Sequence, residues 1–290
     1  MKELKLLNLL TGVIQKLTQK LSKKAIILLI ASIVVLIYIL SGFYNPLTIT
    51  EYTYSSSKIP RGFDGFRITL ISDFHCKSFG NHEEDLIKAI KKTNPDIIVF
   101  TGDSIDASHS INNYAYLLEG IYGLAPIYYI NGNHEYDETA PYQEMLSLHQ
   151  KYEVINLNDK ATILNHGDST IRLCGLDFRK TMQNLRNDIS YADTSYFNIL
   201  LYHGTDKFDA IAPYNYDLVL SGHTHGGLIC LPLAGGIVTN EGEFFPKYDS
   251  GIFTNNRSTM ISSSGLGDAD IPRFHNPREV VSITLQSLHK

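Results

Sequence analysis

Five short apolar runs in this chain end on residue types that bind metal ions, and that repetition constrains the fold more than any other feature. RITLIS (67–72) runs into Asp73 and His75, and DIIVF (96–100) into Asp103 of TGDSID. PIYYI (126–130) leads to Asn133 and His134 of NGNHEYD, FNILLY (197–202) to His203, and DLVLS (217–221) to His223 and His225. Further strands are expected at 170–176, 259–263 and 280–285. Helices are expected over 82–93, 112–120 and 140–151, the first capped by Asn81 with Glu84 three residues on. Strands alternating with helices predict an α/β domain with largely buried sheets. Ligands gather where the carboxyl ends of such strands emerge, so the five ends are expected to converge on one crevice.

The converging set is Asp73, His75, Asp103, Asn133, His203, His223 and His225. It offers carboxylate, imidazole and amide donors and no thiolate, which suits Mn, Fe or Zn in a mixed N/O site rather than a cysteine-rich structural zinc. Seven donors exceed what one tetrahedral ion takes. They fit two neighbouring ions if one carboxylate bridges, an arrangement that clamps a phosphoryl group and generates hydroxide near neutral pH. Taken singly, each residue has an ordinary reading as a turn or surface residue; their joint placement carries the inference.

Charge is distributed unevenly. Residues 1–24 hold six lysines and one glutamate, and residues 25–43, AIILLIASIVVLIYILSGF, hold no charge. The net charge of −5 therefore conceals a basic N-terminus and an acidic remainder. An acidic main domain argues against nucleic acid as partner. At about 1.5 Å per residue, the uncharged stretch spans close to the roughly 30 Å hydrocarbon core. It is read as an uncleaved anchor over 25–43, with the lysines keeping the N-terminus cytoplasmic and the rest outside. Residues 1–24 have helical apolar spacing suited to a basic amphipathic segment on the inner membrane surface or against a partner. Residues 44–65 read as a linker, and 66–290 as the main domain. Cys76, Cys174 and Cys230 form no disulfide or zinc pattern.

The blocks DFH (73–75), GD (102–103), GNHE (132–135), the lone His203 and GHTH (222–225) resemble, in order, those of the calcineurin-like metallophosphoesterases. The resemblance covers about residues 66–287. It is closest to a membrane-attached bacterial branch of YkuE-like and YaeI-like proteins, where GHTHGG and a PRFHNPRE-like segment recur. It implies a four-layer α/β/β/α sandwich and a binuclear centre: Asp73, His75 and His225 on one divalent ion, Asn133, His203 and His223 on the other, Asp103 bridging. His134 would be no ligand but a candidate general acid beside the phosphate. The implied reaction is hydrolysis of a phosphomonoester, phosphodiester or pyrophosphate by a metal-activated hydroxide, and location leaves lipid- or wall-linked phosphates as substrates.

Leu228 stands where the branch often has Gln, and HGTD lacks the proline often found two residues after the lone histidine. Both departures bear on substrate preference. A UDP-2,3-diacylglucosamine pyrophosphatase-like enzyme of lipid A assembly is the rival enzyme, though it needs a site facing the cytosol. An inactive scaffold is the rival from another class, although no ligand is missing. His82, His109, His149, His166 and His289 are expected to face solvent, Arg273 and His275 to be candidates for facing substrate, and Cys76 to be a packing residue. NRS at 256–258 matches a glycosylation acceptor.

Overall fold

The computed structural model describes residues 22–137, 140–179, 191–268 and 271–289; most of the basic segment over 1–24 lies outside them. The chain divides into a unit up to Tyr44 and a compact unit Asn45–Lys290. In the first, α1 (Lys23–Gly42) begins where the Ser22 hydroxyl accepts the Ala25 N–H at 3.3 Å. By length and composition it is able to cross a membrane.

The second unit holds β1 (Leu47–Ser56), β2 (Arg67–Ile71), α2 (Glu84–Thr93), β3 (Ile97–Phe100), α3 (Ile111–Ile121), β4 (Ile127–Tyr129) and α4 (Tyr142–Lys151). It continues with β5 (Ile155–Asn156), β6 (Lys160–His166), β7 (Ser169–Leu176), β8 (Asn198–Tyr202), α5 (Phe208–Ile211) and β9 (Leu218–Ser221). The ribbon β10 (Cys230–Leu231) and β11 (Gly235–Gly236) precedes β12 (Gly251–Asn255), β13 (Ser258–Ser262) and β14 (Arg278–Ser287). Two six-stranded sheets result, ordered β1-β14-β2-β3-β4-β5 and β12-β13-β9-β8-β7-β6.

The fold has four layers because its strands bury both faces. In β3, Ile97 and Val99 enter the core between the sheets, while Ile98 and Phe100 pack under the helices with Leu86, Leu117 and Met145. In β9, Leu218 and Leu220 join the inter-sheet core, and Val219 packs outward against Phe208 and Ile211 of α5. Burial on both sides is why these strands read as continuous apolar runs. Truncating Phe100, fully buried, to alanine would cost about 3–5 kcal/mol.

Two expectations are corrected. Residues 44–65 are not merely a linker: β1 pairs in parallel with β14 over ten residues, Leu47 with Arg278 through Ser56 with Ser287. Asn81 does not cap α2. That helix starts after Glu83, whose buried carboxylate turns back to accept the Phe79 N–H at 2.8 Å.

Candidate metal centre at the strand ends

The loops after β2, β3, β4, β8 and β9 meet because their backbones are tied across the two sheets. Asp73 N–H donates to Gly102 O, and His75 N–H to Asp103 O at 2.9 Å. Gly222 N–H donates to His203 O at 3.0 Å, and His223 N–H reaches both Asp73 carboxylate oxygens at 3.1 Å. The approach is possible only without a side chain at Gly222, where a Cβ would lie 1.8 Å from Ser72 Oγ. Likewise, Gly102 (φ 95°) would drive a Cβ to 2.4 Å from the Gly132 nitrogen.

Asp73, His75, Asp103, His223 and His225 have φ of 52°, 49°, 50°, 74° and 49°. Such left-handed backbone costs about 1–3 kcal/mol per residue and gathers at functional sites. Here it bends each loop so that its side chain points at the others.

Three overlapping sets bring their donor atoms within 4.8 Å of one another: Asp73, His75 and His225; Asp103, His203 and His223; and His75, Asp103 and His134. Asp103 Oδ2 stands between the first two, 3.9 Å from His75 Nε2 and 3.1 Å from His203 Nε2. His225 Nε2 lies 3.6 Å from Asp73 Oδ1. The arrangement fits cations. Asp103 Oδ2, His75 Nε2 and Asn133 Oδ1 are buried without a hydrogen bond of good geometry, and buried polar atoms are rarely left so.

Electrostatics point the same way. Burial opposes charge on His203, but the Asp103 and Asp73 carboxylates outweigh it and raise its pKa to about 10. Burial likewise opposes ionisation of Asp103, yet His203 and His75 hold its pKa below the usual carboxylate range. His225 goes the other way, pushed down to about 3 by burial despite Asp73, with His75 and Arg273 adding to the shift. His225 is therefore a neutral imidazole, whereas His203 holds a proton between two carboxylates, the place that a divalent ion would take in exchange for that proton. His203 Nδ1 faces Thr101 O at 2.6 Å, which fixes the ring and leaves Nε2 for the cluster.

His134 is half-buried in the wall of a cavity of about 480 Å³ that also includes His75, His225 and Asn133. Its Nδ1 lies 2.8 Å from Asp137 Oδ2, and its ring stands edge-on to His75 at 4.7 Å. Several contributors were not singled out from the sequence. Glu135 is a buried carboxylate that accepts the N–H groups of Asp103 (2.9 Å), Ser104 (2.8 Å) and Gly132 (2.6 Å), stitching two of the loops together. Asp106 Oδ2 lies 3.7 Å from His75 Nδ1 and 2.8 Å from His109 Nδ1. Glu241 Oε1 lies 3.2 Å from His223 Nε2, and Phe178 packs on the His203 and His223 rings. The signals for Asp106 and Glu135 were in the quoted blocks GDSID and GNHE; Glu241 and Phe178 had none.

His109 is exposed, as expected, and stands in the lining of the cavity. Other expectations change. His149 is buried at 4% exposure, 2.8 Å from the Tyr114 hydroxyl. Arg273 does not face the cavity: it lies beneath, its guanidinium donating to Gly267 O (2.9 Å) and Ser264 O (2.7 Å) beside His225. His275 packs edge-on against Phe274.

A model of the calcineurin-like phosphoesterases matches residues 66–227. The chain is 32% identical to the metallophosphoesterase YkuE of Bacillus subtilis (strain 168) over 255 residues, 82% of this chain and 85% of that one. A metallophosphoesterase of Campylobacter jejuni is 30% identical over 273 residues, covering 89% and 68%. A transmembrane protein with metallophosphoesterase domain from Danio rerio is 24% identical over 282 residues, covering 91% and 63%. This chain thus belongs to the calcineurin-like phosphoesterase family, as a metal-dependent phosphoester hydrolase.

Proposed function

We propose that this is a membrane-anchored phosphoesterase with a binuclear centre, held at the lipid surface by residues 25–43, with its catalytic domain outside. Asp73, His75 and His225 would hold one divalent ion, Asn133, His203 and His223 the other. Asp103 would bridge them, and its Oδ2, buried between the two donor sets, is the observation that carries the assignment. Such ions, when bound, polarise the phosphoryl group and make water a competent nucleophile near neutral pH. The residues around them do the rest. Asp137 holds His134 Nδ1, which leaves Nε2 able to give a proton to the departing ester oxygen. Glu135 fixes the loops that carry Asp103 and Asn133. The lysines before residue 25 favour the outward orientation, which makes lipid- or wall-linked phosphate esters the substrates. The relatives named metallophosphoesterases, and the one named transmembrane, support this reading.

Elemental analysis of the full chain tests it, alongside hydrolysis of bis(p-nitrophenyl) phosphate with Mn. The wild type should hold two ions and Asp103→Ala neither, whereas His203→Ala should keep one. Two ions retained in Asp103→Ala would remove the bridge.

A further inference from the structure

Part of the rim around the site is built from loops, and its outer side is apolar. Ile237 N–H donates to Ile229 O (2.7 Å), Phe245 N–H to Ile237 O (2.8 Å) and Cys230 N–H to Phe274 O (2.9 Å). Segments around 229, 237, 245 and 274 therefore lie side by side. This array turns large side chains outward: Leu233 is fully exposed, Phe244 and Phe245 are 69% and 66% exposed, and Leu231, two residues before Leu233, is 41% exposed. Leu233 and Phe245 do so from left-handed backbone, with φ of 69° and 52°. Residues 228–238, LICLPLAGGIV, carry no charge. Exposed apolar surface rimmed by polar residues marks an interaction site. The same array reaches the candidate metal centre, because Glu241, between the segments around 237 and 245, lies 3.2 Å from His223 Nε2.

The place where the chain enters this unit identifies the occupant. Only Phe43–Pro46 separate α1 from β1. Asn45 is pinned beside the array: its Nδ2 donates to Arg273 O (2.8 Å), its Oδ1 accepts the Asn276 N–H (2.9 Å) and its carbonyl accepts from Arg278 (2.8 Å). Those three residues flank or closely follow Phe274. In a chain anchored through α1, the polypeptide thus leaves the bilayer next to the apolar rim.

We propose that the rim formed by Leu231, Leu233, Phe244 and Phe245 seats in the lipid bilayer, so that the site opens at head-group level onto a phosphate ester borne by a lipid. The proposal rests on the anchored-phosphoesterase reading above. Each large side chain transferred from water into acyl chains favours the seated state by about tenfold or more.

The chain contains no tryptophan, so Phe245→Trp is a single reporter at an exposed position. The full-length variant is placed in phospholipid nanodiscs with and without brominated acyl chains. Tyr122→Trp, at a half-exposed position before β4 and so at the far end of the strands, is the control. Emission of the first should shift to shorter wavelength and be quenched by brominated lipid, while the control stays quenchable by aqueous iodide. The double variant F244S/F245S in nanodiscs should lose about tenfold or more activity on a lipid-borne phosphate ester, with bis(p-nitrophenyl) phosphate hydrolysis unchanged. Iodide quenching of Phe245→Trp without brominated-lipid quenching overturns the proposal. So does shielding that appears only as protein concentration rises, which would assign the rim to a second copy. If the wild type fails to enter nanodiscs, or fails to hydrolyse the soluble diester, the anchored-phosphoesterase reading falls, and this proposal with it.

Discussion

The two sheets contribute unlike chemistry to one site. From the first come Asp73, His75, Asp103 and Asn133, three of them oxygen donors; from the second come only the imidazoles of His203, His223 and His225. Neither half holds the seven-residue donor set by itself. The anionic half would carry two buried carboxylates facing each other, and the imidazole half no negative charge to hold a divalent ion. The difference teaches that the sandwich, not either sheet, is the functional unit, and that cations would bridge its layers.

Breaking the anionic half should have the largest effect. Asp103→Ala removes the proposed bridge between the two donor sets, and the lost metal chemistry should lower kcat/KM by about 10⁴-fold or more. His203→Ala, on the imidazole half, should leave measurable hydrolysis; equal losses would erase the asymmetry.

The next effect isolates proton transfer. His134→Ala should keep both ions yet lose about 10²–10⁴-fold on alkyl phosphate esters, where the leaving group needs a proton. It should lose far less on nitrophenyl esters. Equal losses on both substrates would assign His134 to orienting the phosphate, and lost metal would make it a ligand.

A third test concerns the helical layer over the first sheet. Burial pushes the His149 pKa down to about 4, so between there and its ordinary value near 6.5 the unfolded chain binds the extra proton. Stability should be full above about pH 6.5 and fall toward pH 4, by up to about 3 kcal/mol at 1.4 kcal/mol per pKa unit. Hydrogen exchange should show α4 loosening first on acidification, and His149→Gln should flatten the slope. An unchanged pH profile in that variant would rule the residue out.

The smallest effects separate the partners that orient the ligands. Such partners typically matter about 10–100-fold in metal affinity. Asp106, 8% exposed, faces His75 on the anionic half; the Glu241 side chain facing His223 is 66% exposed. Asp106→Asn should therefore weaken metal binding more than Glu241→Gln, read by competitive chelation. The reverse order would place the tighter support on the imidazole half.

How much of this was legible in the sequence depended on position within the sheets. All eight expected strands correspond to strands of the two large sheets, and together they are the interior ones. The four edges, β1, β5, β6 and β12, were not found. An interior strand buries both faces and reads as an apolar run. LTITEYTYSS of β1 instead alternates, half-buried, and has a partner more than two hundred residues away, so local pattern cannot identify it. The donor residues were legible because each directly follows an interior strand. Glu241 and Phe178 come from loops whose paths no local signal sets, and burial of His149 depends on packing that its own helix does not encode.

The parallel pairing of β1 with β14 bears on how the protein is made. β14 inserts between β1 and β2, so neither early strand gains that neighbour until the ribosome has delivered a segment that begins at Arg278, paired to Leu47. At synthesis rates of about 5–20 residues per second, that wait is roughly 10–50 s. Throughout it, two unpaired strand edges stand open to wrong partners. Asp73 is held by the same late chain, its carbonyl accepting the Gly267 N–H at 2.5 Å. Its place in the candidate metal centre is therefore set near the end of translation, and an ion that arrived earlier would meet an incomplete set of donors.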